Sequence, residues 1–248
     1  MAMVILAVAA LIAGVQNALA GGGSFLTFPA LLLSGLNPLM ANVTSTVALF
    51  PGQITTGWAG RRAVSGLPGL GFGSLFALSV LGGALGALLL LATPVSIFSA
   101  LVPWLVLAAT LIFAWGSFFR RPGGAARRLG PAAAGAAQLG IAVYGGYFGG
   151  GIGILMLAAL TLAGLEVRRA AATKNVLAAA MNGAAVLLFV WSHEVAWQQT
   201  GVIAVASAAG GWLGASMLHR VNERALRVGI VLIGLALAVG LFLRHGTG

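Results

Sequence analysis

The chain has 248 residues, 60% of them hydrophobic and only 6% charged, with a formal net charge of +10. Soluble domains carry about 25% charged residues, so this chain cannot coat a globule with ions, and its solvent is a lipid bilayer. It has no cysteine and no aspartate, and its only acids are Glu166, Glu194 and Glu223. That excludes disulfides, thiolate metal sites and carboxylate dyads, and no metal or cofactor is expected.

In chain order, an apolar run at about 2–20 comes first. Its end, Ala18-Leu19-Ala20, mimics a signal-peptide cleavage site, but no basic segment precedes it, so the run is read as part of the fold. Gly21–Gly23 breaks the run, because adjacent glycines have low helix propensity. A run of about 24–35 follows, too short at 1.5 Å per residue to cross a core of about 30 Å unaided. Leu36-Asn37-Pro38 reads as a turn, and about 40–59 is a third run, ending at Arg61-Arg62. Runs at about 70–91 and 96–119 lead to the basic connector Arg120-Arg121-Pro122 to Arg127-Arg128. The second half repeats the scheme with runs at about 131–148, 150–165, 170–191, 198–218 and 227–243.

The repetition is explicit in the residues. Gly21-Gly22-Gly23 answers Gly149-Gly150-Gly151, Gly35-Leu36 answers Gly164-Leu165, and Ala41 and Thr44 answer Ala170 and Thr173, at offsets of 128 or 129. The chain therefore divides into a first repeat (1–119), a basic cytoplasmic linker (120–130) and a second repeat (131–248). With the linker in the cytoplasm and each run crossing or dipping, Arg61-Arg62, Arg168-Arg169 and the Arg220–Arg227 group all fall on the cytoplasmic side. The turns Ser34–Met40, Ala92–Pro94 and Ser192–Gln198 fall outside and hold no Lys or Arg. The arginine clusters thus follow the positive-inside rule, and no nucleic-acid partner is expected. Five segments per half is an odd number, so the halves are inverted relative to each other. The fold expected is an all-α polytopic membrane protein of two inverted repeats, each with a short glycine-broken, re-entrant segment. A parallel four-plus-four arrangement, each broken pair counting as one bent span, fits the second-half arginines less well.

The candidate site follows from the break points. A glycine break leaves helix N–H groups uncovered, and a helix N-terminus carries about half a positive charge. Two such ends, at Gly22-Gly23 and Gly150-Gly151, make an anion site without a charged side chain; alternatively, glycines only let helices pack closely. Asn42, Thr44 and Ser45 in one half, and Thr173 and Asn175 in the other, offer donors to an oxyanion, or bond back to their own helix. Lys174 is the only lysine, and an ionisable residue inside a span is a functional candidate unless it snorkels to the surface. Gln16, Asn17, Gln53, Gln138, Tyr144, Tyr147 and Asn182 rank behind these. His193-Glu194 reads as a solvated turn, and Glu166 beside Arg168 and Arg169 as a local ion pair.

These residues resemble the TauE/SafE family, the sulfite-exporter and organosulfur permease group. The resemblance rests on Gly21-Gly22-Gly23 with Pro29, Gly35, Ala41 and Thr44-Ser45, and again on Gly149-Gly150-Gly151, Gly164, Ala170 and Thr173. It covers nearly the whole chain. It implies a bacterial inner-membrane transporter of sulfite, sulfonates or related anions, with the bilayer and a small anion as partners and a homo-oligomer as an option. Two departures stand out: Leu157 replaces the Pro29 of the first copy, and Lys174 replaces Ser45.

The expectation is export of a small sulfur oxyanion through a midplane cavity between the repeats. A negative cell interior drives a dianion outward by about 4.6 kcal/mol per 100 mV, so export needs no coupled ion. Ion-coupled uptake is the alternative. An intramembrane enzyme lacks a nucleophile and base, and a purely structural subunit would move no anion.

Overall fold

The computed structural model describes residues 2–19, 22–119, 129–216 and 223–246, and these form helices with no strand element among them. Gly21, the connector Arg120–Arg128 and Arg220 lie outside the described residues. The helices are α1 (Ala2–Leu19), α2 (Ser24–Leu33), α3 (Pro38–Gly60), α4 (Phe72–Ala92) and α5 (Val95–Ala114), then α6 (Pro131–Tyr147), α7 (Ile152–Leu162), α8 (Val167–Phe189), α9 (Trp197–Ser216) and α10 (Glu223–Gly246). A 3₁₀ turn, Arg61–Ala63, extends α3, and a π-helical turn, Trp115–Phe119, extends α5. Phe72–Ala92, Val95–Phe118 and Val167–Phe189 are long and apolar enough to cross a membrane.

Local chemistry sets the boundaries. Both short helices end in a Schellman motif. Leu36 N–H donates to Leu31 O at 3.3 Å around Gly35 (φ 95°), and Leu165 N–H donates to Leu160 O at 3.0 Å around Gly164 (φ 104°). Asn37 caps α3, its side chain accepting from Met40 N–H at 2.9 Å, with Pro38 pre-set at the first helical position. At roughly 15 Å for α2 and 16 Å for α7, neither spans a bilayer core alone.

Packing is inside-out relative to a soluble protein. On α4, Gly82, Gly83, Gly86 and Ala87 are buried, while Leu81, Leu85, Leu88 and Leu89 are more than half exposed. In water this would discard the hydrophobic effect; in lipid, helices associate through small faces and leucines meet acyl chains. A methyl on Gly82 would lie 3.0 Å from Leu139 O, and one on Gly210 would collide with Leu11 O. Both members of that pair shift by 128, from 82 to 210 and from 11 to 139.

Helix partners follow the same exchange. α1 packs on α9 and α4 on α6; α3 packs on α9 and α4 on α8; α3 meets α8, and α5 meets α10. Replacing each helix by the one five positions later reproduces this set. Aromatic rings pack around α2, with Phe25 edge-on to Phe113 of the same half (5.6 Å) and Phe28 edge-on to Phe148 of the other (5.7 Å). One expectation fails: Glu166, Arg168 and Arg169 are exposed, and no ion pair joins them among the described residues. Holding long side chains together in water gains little against their entropy.

Candidate functional site

The two glycine breaks meet. Gly22, Gly23 and Ser24 from the α1–α2 break and Gly149, Gly151, Ile152 and Gly153 from the α6–α7 break line one cavity of about 60 Å³. A second cavity of about 70 Å³ adjoins it, sharing Asn17, Gly22, Gln53, Ile152 and Gly153, and adds Lys174 and Asn175. Each exceeds the 10–15 Å³ or so that one water needs, so a small hydrated anion has room.

Each break is built differently. In the first, Gly22 takes φ 90° and α1 holds it from above: Gln16 Nε2 donates to Gly22 O at 2.9 Å, and Gly23 N–H donates to Asn17 Oδ1 at 2.7 Å. In the second, Gly149 (φ 80°) and Gly151 (φ 75°) turn the chain, with Phe148 N–H donating to Tyr144 O at 2.9 Å. Neither α2 nor α7 has a side-chain cap. Part of each N-terminus is already bonded, with Gly23 N–H on Asn17 Oδ1, Phe25 N–H on Gly22 O and Ile154 N–H on Gly151 O, and both helix dipoles put positive ends at the cavity.

Lys174 brings the amine of the chain's one lysine to the site. Its Nζ lies beside Gly153, 3.7 Å from where a Cβ would stand, in the first turn of α7. Among the described residues, no hydrogen bond or ion pair engages its ammonium. No carboxylate is among the lining residues of either cavity. Across the floor, Asn182 Nδ2 donates to Gln53 Oε1 at 2.6 Å, a pair separated by 129 positions. They are thus equivalent residues of the two halves, meeting where α3 faces α8. That bond uses the Gln53 acceptor and leaves its amide donors for an occupant.

The other sequence candidates are placed elsewhere. Asn42 Nδ2 donates to Tyr147 O at 2.9 Å, and Asn42 and Gly150 border a further void of about 20 Å³ that shares Ser24 and Phe148 with the first cavity. Ser45 and Thr27 share a hydrogen bond of 2.6 Å. Thr44 Oγ1 accepts from Ala196 N–H at 3.1 Å, in the segment following α8. Thr173 Oγ1 accepts from Ser65 N–H at 3.1 Å and donates to Ser65 O at 3.2 Å, in the segment following α3. Each half's threonine thus holds the other half's loop. Thr46, which the sequence grouped with Asn42, Thr44 and Ser45 as a donor, does line the first cavity, and lining residues that sequence reasoning ranked low or passed over are Asn17, Ser24, Gln53, Gly153 and Asn182. The signal for Gln53 and Asn182 was in the chain, since each follows its threonine by nine positions.

Apolar helices packed through glycines, outward leucines and a polar cavity at paired helix breaks define a helical membrane transporter. The comparisons agree and go further. Residues 6–241 match the family model "Sulfite exporter TauE/SafE", and the chain belongs to that family. It is 32% identical to a "Probable membrane transporter protein" of Haemophilus influenzae, over 90% of this chain and 87% of that protein. It is 28% identical to the "Probable membrane transporter protein YfcA" of Escherichia coli K12, over 94% and 86%. The "Probable membrane transporter protein ORF9" of Sinorhizobium sp. is 30% identical over 94% and 90%. No solved structure matches the chain.

Proposed function

We propose that this protein exports a small sulfur-containing oxyanion, sulfite or a sulfonate, across the bacterial inner membrane, as a multi-pass transporter without a coupled ion. Two inverted repeats, 1–119 and 131–248, joined by a cytoplasmic linker at 120–130, flank the site. α2 and α7 are the re-entrant segments. The observation that carries the reading is the lining itself: the positive ends of two helices and the unpaired Lys174 face two adjoining polar cavities that neither Glu166 nor Glu194 lines. A cation and two positive dipole ends repel one another at low dielectric, and an anion relieves all three at once.

In this reading Gly22 and Gly151 open the two helix N-termini, Gly23 is held by Asn17 through its N–H, Lys174 supplies charge, and Asn175 and Gln53 supply amides. Thr44, Ser45, Thr173, Asn42 and Gly150 keep the two breaks in register. The reported names of the relatives support transport, and the family description supports sulfite. Uniport is favoured because neither Glu166 nor Glu194 lines the cavities to carry a proton through them.

The test is sulfite flux into liposomes holding the purified protein, with the membrane potential clamped at two values and no pH gradient. Flux that follows the potential and falls in Lys174→Ala supports the reading. Flux that appears only with an imposed proton or sodium gradient replaces it with a coupled mechanism.

A further inference from the structure

The polar cavities continue into a much larger apolar one. A groove of about 480 Å³ lies between α1, α3 and α9 and meets both polar cavities at Asn17; it also shares Gly52 and Thr56 with the one that holds Lys174. Its outer walls include the exposed residues Thr55, Ala59, Ala208 and Trp212. Its hydroxyls are turned away from any ligand. Thr55 Oγ1 donates to Gly52 O at 2.8 Å, Thr56 Oγ1 to Gln53 O at 3.0 Å, and Ser207 Oγ to Ala204 O at 3.3 Å. The groove thus offers methyl and ring surface, and no free donor from these hydroxyls for an oxyanion.

The equivalent position in the second half is filled. The position equivalent to Gly52, 129 residues on, is Met181, which is fully buried. Its side chain fills the gap beside Gly145, where a methyl would stand 2.6 Å from the Met181 Cε. A methyl on Gly52 would touch nothing within 4 Å. The duplicated fold is packed solid on one side and left open on the other, and the open side runs to the lysine.

We propose that this groove is a tail subsite: the ligand is an anion bearing an aliphatic chain, its head beside Lys174 and its chain between α3 and α9. This rests on the anion-site reading above and names the ligand's chemical class within it. The charge at one end and the apolar wall at the other fit one amphiphilic molecule. Each buried methylene then tightens binding about threefold to fourfold.

The test compares methanesulfonate with hexanesulfonate as inhibitors of sulfite flux in liposomes, and as ligands that shift Trp212 emission in nanodiscs, with Trp212→Phe as the blank. Hexanesulfonate is expected to act at a concentration at least about 100-fold lower. Ala208→Trp and Thr55→Trp, two independent ways of filling the groove, are each expected to cut that ratio to less than tenfold. Sulfite flux with equal potency of the two sulfonates, or a ratio unchanged in both variants, overturns the tail subsite. So does a phospholipid that copurifies with the protein and is lost in both variants while the ratio stays fixed. A Trp212 response to hexanesulfonate without any sulfite flux would instead sink the transport reading and keep the groove. Neither response overturns both.

Discussion

The two helix breaks share a plan and differ in what holds them. At the first, side chains of α1 stitch the turn, Gln16 to Gly22 O and Asn17 to Gly23 N–H. At the second, glycines at φ 80° and 75° make the turn from backbone alone, and α8 brings Lys174 against α7. Where α8 has that lysine, α3 has Ser45, which bonds Thr27 of α2. Duplication thus preserves the turns that end the two short helices, Gly35 at φ 95° and Gly164 at φ 104°, while the breaks that start them diverge in backbone as well as side chains, Gly23 at φ −55° and Gly151 at φ 75°. One half has become a polar scaffold and the other carries the charge.

The sharpest break of this comparison is removal of the charge. Lys174→Ala is expected to lower sulfite flux at least about 30-fold, the cost of losing one charged partner of a buried ion. The double change Lys174→Ser with Ser45→Lys, which moves the charge to the other half, is not expected to restore it, because Ser45 faces Thr27 and lines neither cavity. Recovery of flux in that double variant would show the halves to be interchangeable.

Next in size are the backbone turns. Gly151→Ala places a Cβ at φ 75°, a conformation costing roughly 1–2 kcal/mol for a non-glycine residue. It is expected to lower both thermal stability and flux. Asn17→Ala is expected to lower stability by roughly 1–2 kcal/mol, because Gly23 N–H then loses its acceptor. Unchanged stability in Asn17→Ala would erase the distinction between a turn made by backbone and one held by side chains.

The threonine latches give a graded effect. Thr173 makes two bonds to Ser65 and Thr44 one to Ala196. Thr173→Val is therefore expected to destabilise more than Thr44→Val, each by about 1–3 kcal/mol, measured by thermal unfolding in detergent. Smallest is the Gln53–Asn182 pair, for which a double-mutant cycle with leucine is expected to give a coupling of about 1 kcal/mol.

Much of the helical layout was legible because glycine, proline and arginine punctuate the apolar runs so clearly. Asn37-Pro38 announces α3, and Gly35 and Gly164 announce the ends of α2 and α7. The facing of side chains was not legible. Thr44 and Thr46 sit two positions apart, about 200° around a helix, so one reaches the Ala196 segment and the other the cavity. Thr173 and Lys174 diverge by about 100° in the same way. A run of polar residues names a candidate region, and only the rotation of the helix selects its members. The groove was invisible for a related reason: it depends on Gly52 standing where its equivalent is Met181, and a missing side chain leaves no mark in hydropathy.

The crossed threonine latches also bear on how the protein is made. Ser65 and Thr173 are 108 residues apart, so at 5–20 residues per second the ribosome needs roughly 5–20 s between them. Through that interval the segment carrying Arg61 and Arg62 has emerged without its anchor. The two halves behave as interlocking parts of one casting, and a nascent chain halted before α8 presents the cell's quality-control proteases with an untied loop.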